Sequence, residues 1–161
     1  MQIHTRVARA ALGMTCVLVA VFAVVSAQGG VPNGNWQLNV AKSKGSPTLP
    51  FKSVTVVIHP VGPATMTMID SVGADGAKLS WSYTGPYDGK DVPISGNPAF
   101  DTAARKSVNA TTTETTYKKN GKVVAVNTNV LSADGKTLTV TTKGVDEQGR
   151  PVNSVLVFER Q

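Results

Sequence analysis

An all-β fold, an up-and-down antiparallel barrel of eight to ten short strands, is the architecture this sequence predicts, and three observations predict it. Turn signals built on a polar residue and a glycine return at Gly76, Gly89, Gly121, Gly135 and Gly149. Asp-Gly and Asn-Gly pairs between β-rich runs favour hairpins, because glycine accepts the positive φ that tight turns require. Between the turns the period is two: "AKLSWSY" sets Leu79, Trp81 and Tyr83 against Lys78, Ser80 and Ser82, the pattern of a strand with one dry face. Helix grammar is missing, since no segment after residue 27 offers a capped amphipathic run. Short connections favour a meander barrel over a two-sheet sandwich, whose Greek-key crossovers are long.

The elements follow in order. A first strand is expected over 34–41, in "GNWQLNV", and a second over 52–59, ending where His59 meets Pro60. In the third, 64–71, Met66 and Met68 alternate with Thr65 and Thr67 and are read as the inward face. The fourth, 77–84, carries Leu79, Trp81 and Tyr83. A fifth over 90–95 is broken by "SGNP", and Asp101 introduces a sixth over 102–108. "VNAT" turns the chain into 112–119, Asn120-Gly121 turns it into 122–131, and Asp134-Gly135 into 136–143. The last strand, 151–159, points Val152, Leu156 and Phe158 to one side.

"YDGKDVPISGNPAFD", residues 87–101, gathers three aspartates, two glycines and two prolines. A calcium loop spaces its oxygen ligands alternately and closes on a bidentate glutamate, whereas here Lys90 intrudes and no glutamate follows. The stretch therefore reads as a turn and a broken strand. Most of the carboxylates fall at turns, Asp75, Asp134 and Glu147 like Asp88, where turn chemistry explains them. Asn109-Ala110-Thr111 fits a glycosylation acceptor formally; for the bacterial source that the chain suggests, it is a hairpin turn.

Residues 1–27 carry a different signal. Arg6 and Arg9 precede an apolar run from Ala10 to Val25, and Val25-Ser26-Ala27 offers a cleavage site. This is the pattern of a secretory signal peptide, too short for comfortable membrane spanning, so the chain is expected to be exported, to the periplasm or beyond, as one domain over 28–161. Cys16 sits in that leader without the flanks of a lipidation site, which leaves the mature domain no cysteine and no disulfide. Two of sixteen basic residues leave with it, so 14 basic against 10 acidic residues give a formal charge of +4. The lysines are scattered rather than gathered into a stripe, which argues against nucleic acid as a partner.

The two ends of the domain resemble a known family. Gly34-x-Trp36 on the first strand and Glu159-Arg160 ending the last, in a chain of this length, resemble the calycins: lipocalins and intracellular fatty-acid-binding proteins. The resemblance implies a lipocalin-like barrel in which Trp36 plugs one end and Arg160 lies across it, with Gly34 beside them. It covers 33–161 in order and length, and in specific residues only these ends. The lipocalin Thr-Asp-Tyr motif is missing, and "KSKGSPTLPF" has no room for the helical lid of fatty-acid-binding proteins. The carboxylate-holding Arg and Tyr of their last strand correspond to Leu156 and Phe158, which argues against a fatty acid held in that family's manner.

Catalytic motifs do not accompany this frame. Only His59 remains after processing, and nucleophile elbows, phosphate loops and dinucleotide fingerprints are missing. A metal site would rest on carboxylates alone, against the usual ligand pattern, so neither a metal nor another cofactor is expected. The candidate binding residues are the dry face: Met66, Met68, Leu79, Trp81, Tyr83, Tyr117, Leu156 and Phe158. In a small barrel such residues fill the interior or line a pocket. Adaptable methionines and rings with polar tips favour a pocket for a small apolar or amphipathic ligand. Two other readings stay open. One is a filled barrel or sandwich acting as an envelope or adhesion module through threonine-rich outer faces such as "TTTETTY". The other is a small-barrel enzyme using Asp70, His59 or Tyr83 in its interior.

Overall fold

The structure, a computed structural model, describes residues 33–46, 49–146 and 149–161. The expected leader over 1–27, its Cys16, and Glu147 of the last turn lie outside the described residues. The strands are β1 (Gly34–Leu38), β2 (Lys44–Ser46), β3 (Phe51–Val61), β4 (Ala64–Gly73), β5 (Lys78–Gly85), β6 (Asp88–Ser95), β7 (Thr102–Ser107), β8 (Thr112–Lys119), β9 (Lys122–Leu131), β10 (Thr137–Val145) and β11 (Pro151–Arg160). From β3 to β11 each strand pairs antiparallel with the next, and β1 pairs with both β3 and β11. The sheet therefore closes into an up-and-down barrel, and among the described strands closure leaves only the short β2 with an unpaired edge. Among the described residues no helix is long and apolar enough to cross a membrane.

The first strand departs from its expected span. It ends at Leu38, and a 3-10 turn over Val40–Lys42 separates it from β2, which returns to pair with β11 through Val155↔Lys44. Local side chains cause the break. Asn39 Oδ1 accepts from the Lys42 N–H at 3.1 Å. The Ser43 hydroxyl donates to the Asn39 carbonyl at 2.7 Å and accepts from the Val157 N–H at 2.9 Å. Short polar side chains thus hold the backbone groups that the ladder leaves open, the ordinary reason Asn and Ser compete with regular structure.

Gly76, Gly121, Gly135 and Gly149 adopt positive φ at the turns their sequence suggests, and Asn120 joins Gly121 at φ 50°, the backbone of a tight hairpin turn. Asp88-Gly89, expected as a turn, instead lies inside β6, where the positive φ of Gly89 falls at a bulge that shifts the register between Asp88 and Asp91. The stretch 87–101 is a bend in the wall. Asp88 accepts from the Lys90 N–H at 3.0 Å and Asn97 from the Ala99 N–H at 2.9 Å. Asp101 accepts from the Asn120 N–H at 2.7 Å and from Lys119 Nζ at 2.8 Å, tying the mouth of β7 to the β8–β9 turn. Strand β5 pairs with β6 only through Ser82↔Ser95 and Tyr83↔Ile94; Pro93, next in line, has no N–H to extend the ladder.

The Asn120 N–H and Lys119 hold the Asp101 carboxyl below its ordinary value of 3.8. Asp88, Asp134 and Glu159 are lowered in the same way by turn N–H groups, a serine hydroxyl or Lys42. A depressed carboxylate adds stability that is present above its unfolded-state value and is lost as the pH falls through the lower folded-state value. Thermal unfolding followed by circular dichroism should therefore hold a steady midpoint down to about pH 5 and decline below about pH 4. Asp101→Asn should lower the midpoint at neutral pH and make the acid decline shallower; an unchanged acid profile would count against this role for Asp101.

The first and last strands of the barrel meet at Trp36 and Arg160. Trp36 is fully buried, stands opposite Arg160 in the β1–β11 register, and carries the Arg160 guanidinium 5.0 Å from its ring centre. Arg160 Nε donates to the Gly135 carbonyl at 3.1 Å, which fixes the guanidinium. Gly34 has φ 145°, and a Cβ there would stand 3.3 Å from Arg160 Nη1. Gly34, Trp36 and Arg160 thus come together across the β1–β11 seam, the place where the resemblance puts the barrel's floor.

Candidate functional site

Above that floor the interior holds a cavity of about 320 Å³. Six of the eight candidate residues line it: Leu79, Trp81, Tyr83, Tyr117, Leu156 and Phe158. Met66 and Met68 do not. The register Thr67↔Tyr83, Ile69↔Trp81 and Ser71↔Leu79 turns the odd-numbered residues of β4 inward, and Thr67, Ile69 and Ser71 line the cavity in their place. Side chains alternate across a strand, so any face that took Met66 and Met68 would take Asp70 too. Asp70 is exposed; the need to hydrate one carboxylate sets the orientation of the strand. His59 pairs with Met66 in the register, next to the inward, buried Ile58, and so also stands on the outer face. Of the three residues the enzyme reading needed inside, only Tyr83 is there.

The aromatic residues form a wall. Trp81 and Tyr83 stack at 5.9 Å between centroids, and Phe100 stacks on Tyr117 at 4.7 Å. Trp81 meets Tyr117 edge-on at 5.8 Å. Offset and edge-to-face contacts at such separations are each favourable beyond simple burial. The Tyr83 and Tyr117 hydroxyls lie 3.5 Å apart. Burial, and then the neighbouring Tyr83, push the Tyr117 phenol well above its ordinary value, so it stays protonated.

Phe51, Val54, Val56 and Ile58 of β3 add an apolar stretch, and strands β8 to β11 supply a further part of the lining that includes many polar side chains. The register joins Thr115↔Asn127, Asn127↔Thr142 and Thr142↔Ser154 into one row across four neighbouring strands, and all four residues line the cavity. Thr113 and Thr115 are buried, so the threonines of "TTTETTY" divide between the faces rather than forming an outer surface as the adhesion reading had it. Glu114 pairs with Lys106 outside at 2.7 Å, and that pairing turns Thr113, Thr115 and Tyr117 inward. Asn129 donates to Thr113 Oγ1 at 3.2 Å. Asn127 Oδ1 is buried without a hydrogen-bond partner among the described residues.

Arg105 is the residue that sequence reasoning missed. It points inward from β7, is 3% exposed and lines the cavity. Its Nη1 donates to Thr67 Oγ1 at 3.1 Å, and its Nη2 donates to the carbonyls of Thr65, at 2.7 Å, and Gly85. The guanidinium lies between two rings, 5.0 Å from Tyr83 and 4.5 Å from Tyr87. Arg105 thus ties β7 to the β4–β5 pair across the short β5–β6 ladder. These hydrogen-bond partners are neutral, no carboxylate of the described residues lines the cavity, and Nε is buried without a hydrogen-bond partner among them. The cavity therefore carries an uncompensated positive charge. "TAARKS" hid this, because Ala103-Ala104-Arg105-Lys106 shows no polarity contrast between its faces.

These features define a closed antiparallel barrel with an internal, mostly apolar cavity and one buried cation. Among solved structures, the chain is similar to a siderocalin described as functioning through dual ligand specificities, at 14% identity and a TM-score of 0.34, over 80% of this chain and 73% of that one. No family model matches the chain, and neither does any curated protein sequence.

Proposed function

We propose that this chain is an exported, non-catalytic barrel that takes a small amphipathic molecule into its interior. The supporting observation is the cavity itself. Its volume of about 320 Å³ lies in the range of small-molecule sites, which begins at roughly 300 Å³. Its lining joins an apolar majority to a few convergent polar groups, the usual make-up of such sites. The Arg105 charge favours a ligand whose polar end is anionic, because a buried cation without a counter-charge is costly until one arrives. Export rests on the basic, apolar and small-residue pattern of residues 1–27. The non-catalytic reading is supported by the outward placement of Asp70 and His59 and by a lining, among the described residues, without carboxylate, imidazole or amine. A filled barrel serving as an envelope module is disfavoured by the same cavity.

Anilinonaphthalene sulfonate, an anionic dye that brightens in apolar surroundings, tests the reading. It should bind the folded domain saturably with one site per chain. Thr142→Phe, which projects a ring into the cavity, should abolish the signal while the circular dichroism of the barrel is retained. Dye fluorescence that never saturates, or that persists in a folded Thr142→Phe protein, would refute an internal site.

A further inference from the structure

The interior has two unlike walls, and the strand order sets them apart. Trp81 and Tyr83 stand on β5, with Tyr117 and Phe100 beside them. In the closed ring β10 lies halfway round from β5. The row Thr115, Asn127, Thr142 and Ser154 begins beside Tyr117 on β8 and runs through β9 and β10 to β11, round to the side of the ring away from Trp81 and Tyr83. An alkyl chain has no use for such a row, since packing methylenes against amides and hydroxyls leaves those groups without hydrogen bonds. Asn127 Oδ1, buried and unpartnered in the middle of the row, makes the mismatch specific. A buried polar group in that state calls for a partner.

Resting on the proposed internal site, we infer that the ligand is a planar aromatic or heteroaromatic molecule with hydrogen-bonding groups along its edge, rather than a flexible fatty chain. Its ring face packs on Trp81 and Tyr83. Its edge meets the polar row, exchanging a hydrogen bond with the Asn127 amide, and its anionic group answers the charge of Arg105. Rings prefer ring faces for electrostatic as well as apolar reasons, and a rigid ligand surrenders less conformational freedom on entering a small cavity than a chain does.

Calorimetric titration of the folded domain with three monocarboxylates decides it. Naphthoate and undecanoate share charge and carbon number and differ in planarity, while hydroxynaphthoate adds a donor on the ring edge. Naphthoate should bind at least about tenfold more tightly than undecanoate, and hydroxynaphthoate more tightly again by up to about tenfold. Asn127→Leu, close to asparagine in size, should erase the hydroxyl preference, so that hydroxynaphthoate and naphthoate bind that variant alike. Undecanoate binding as well as naphthoate would overturn the inference from the wild-type protein alone. So would a hydroxyl preference that survives in folded Asn127→Leu. If the dye binds inside and none of the three acids does, the inference fails and the internal site stands; if the dye has no internal site, the functional reading itself fails.

Discussion

Arg105→Met is expected to cut the affinity of an anionic ligand about 100-fold while leaving a neutral aromatic of the same shape almost untouched. The size follows from Coulomb's law: at an effective dielectric of about 20, a unit charge some 6 Å away contributes roughly 3 kcal/mol. The guanidinium is almost wholly buried and has no carboxylate among the described residues lining the cavity, so its field reaches the ligand without being neutralised first. Burial also limits screening, and moderate salt should weaken anion binding far less than it would weaken a surface pair. Methionine keeps much of the apolar stem between Tyr83 and Tyr87 and removes the charge. Paired titrations with naphthoate and neutral naphthamide give the result directly. Equal losses for both, or no loss for the anion, would reduce Arg105 to a strap between strands.

The stability of that variant is governed by opposing terms. Removing the guanidinium strips hydrogen bonds from the Thr65 and Gly85 carbonyls, at about 1–3 kcal/mol for each acceptor left buried and unpaired. It also relieves the desolvation of an ion, an effect of several kcal/mol in the other direction. The two are of similar size, so Arg105→Met should stay folded. A near-neutral effect on folding beside a large effect on anion affinity is what separates a binding charge from a purely structural one.

How much of this was legible in the sequence follows from where the information sits. Turns are local: Asn120-Gly121 and Asp134-Gly135 state the backbone they need, and the hairpins fell where they indicated, whereas Asp88-Gly89 became a bulge at the start of β6. Faces are legible when one side of a strand is plainly polar, as for Leu79, Trp81 and Tyr83. They are not legible in β4, where methionine and threonine alternate and only Asp70 breaks the symmetry. Arg105 and the row through Asn127 are harder still. A polar residue turned inward looks like any other in sequence, because its surroundings are assembled from strands far apart in the chain. Arg105 meets the Thr65 carbonyl across 40 positions, and Asn127 joins Ser154 only through the β9, β10 and β11 register. Apolar patterning shows that an interior exists; long-range pairing decides which polar groups enter it.

The floor is where the largest loss of stability is expected. Trp36 is the largest side chain of the domain to be completely buried, and it joins β1 to β3 and β11 at the closure of the ring. Truncation to alanine leaves a hole beneath Arg160 that neighbouring backbone, held by ladder bonds on both sides, has little freedom to fill. Trp36→Ala should lower the unfolding free energy by about 3–5 kcal/mol, a large share of the roughly 5–15 kcal/mol typical of a domain. Trp36→Phe should lose less, because the indole Nε1 has no hydrogen-bond partner among the described residues to forfeit and the ring face under Arg160 is kept. Arg160→Ala removes the cation from the indole face and should lose only about 0.5–2 kcal/mol. Urea titrations of the three variants check the order, and a double-mutant cycle on Trp36 and Arg160 isolates the contact from the cavity. If Trp36→Ala loses less than about 1 kcal/mol, below the range for emptying a packed aromatic site, the indole is not what holds the ring shut.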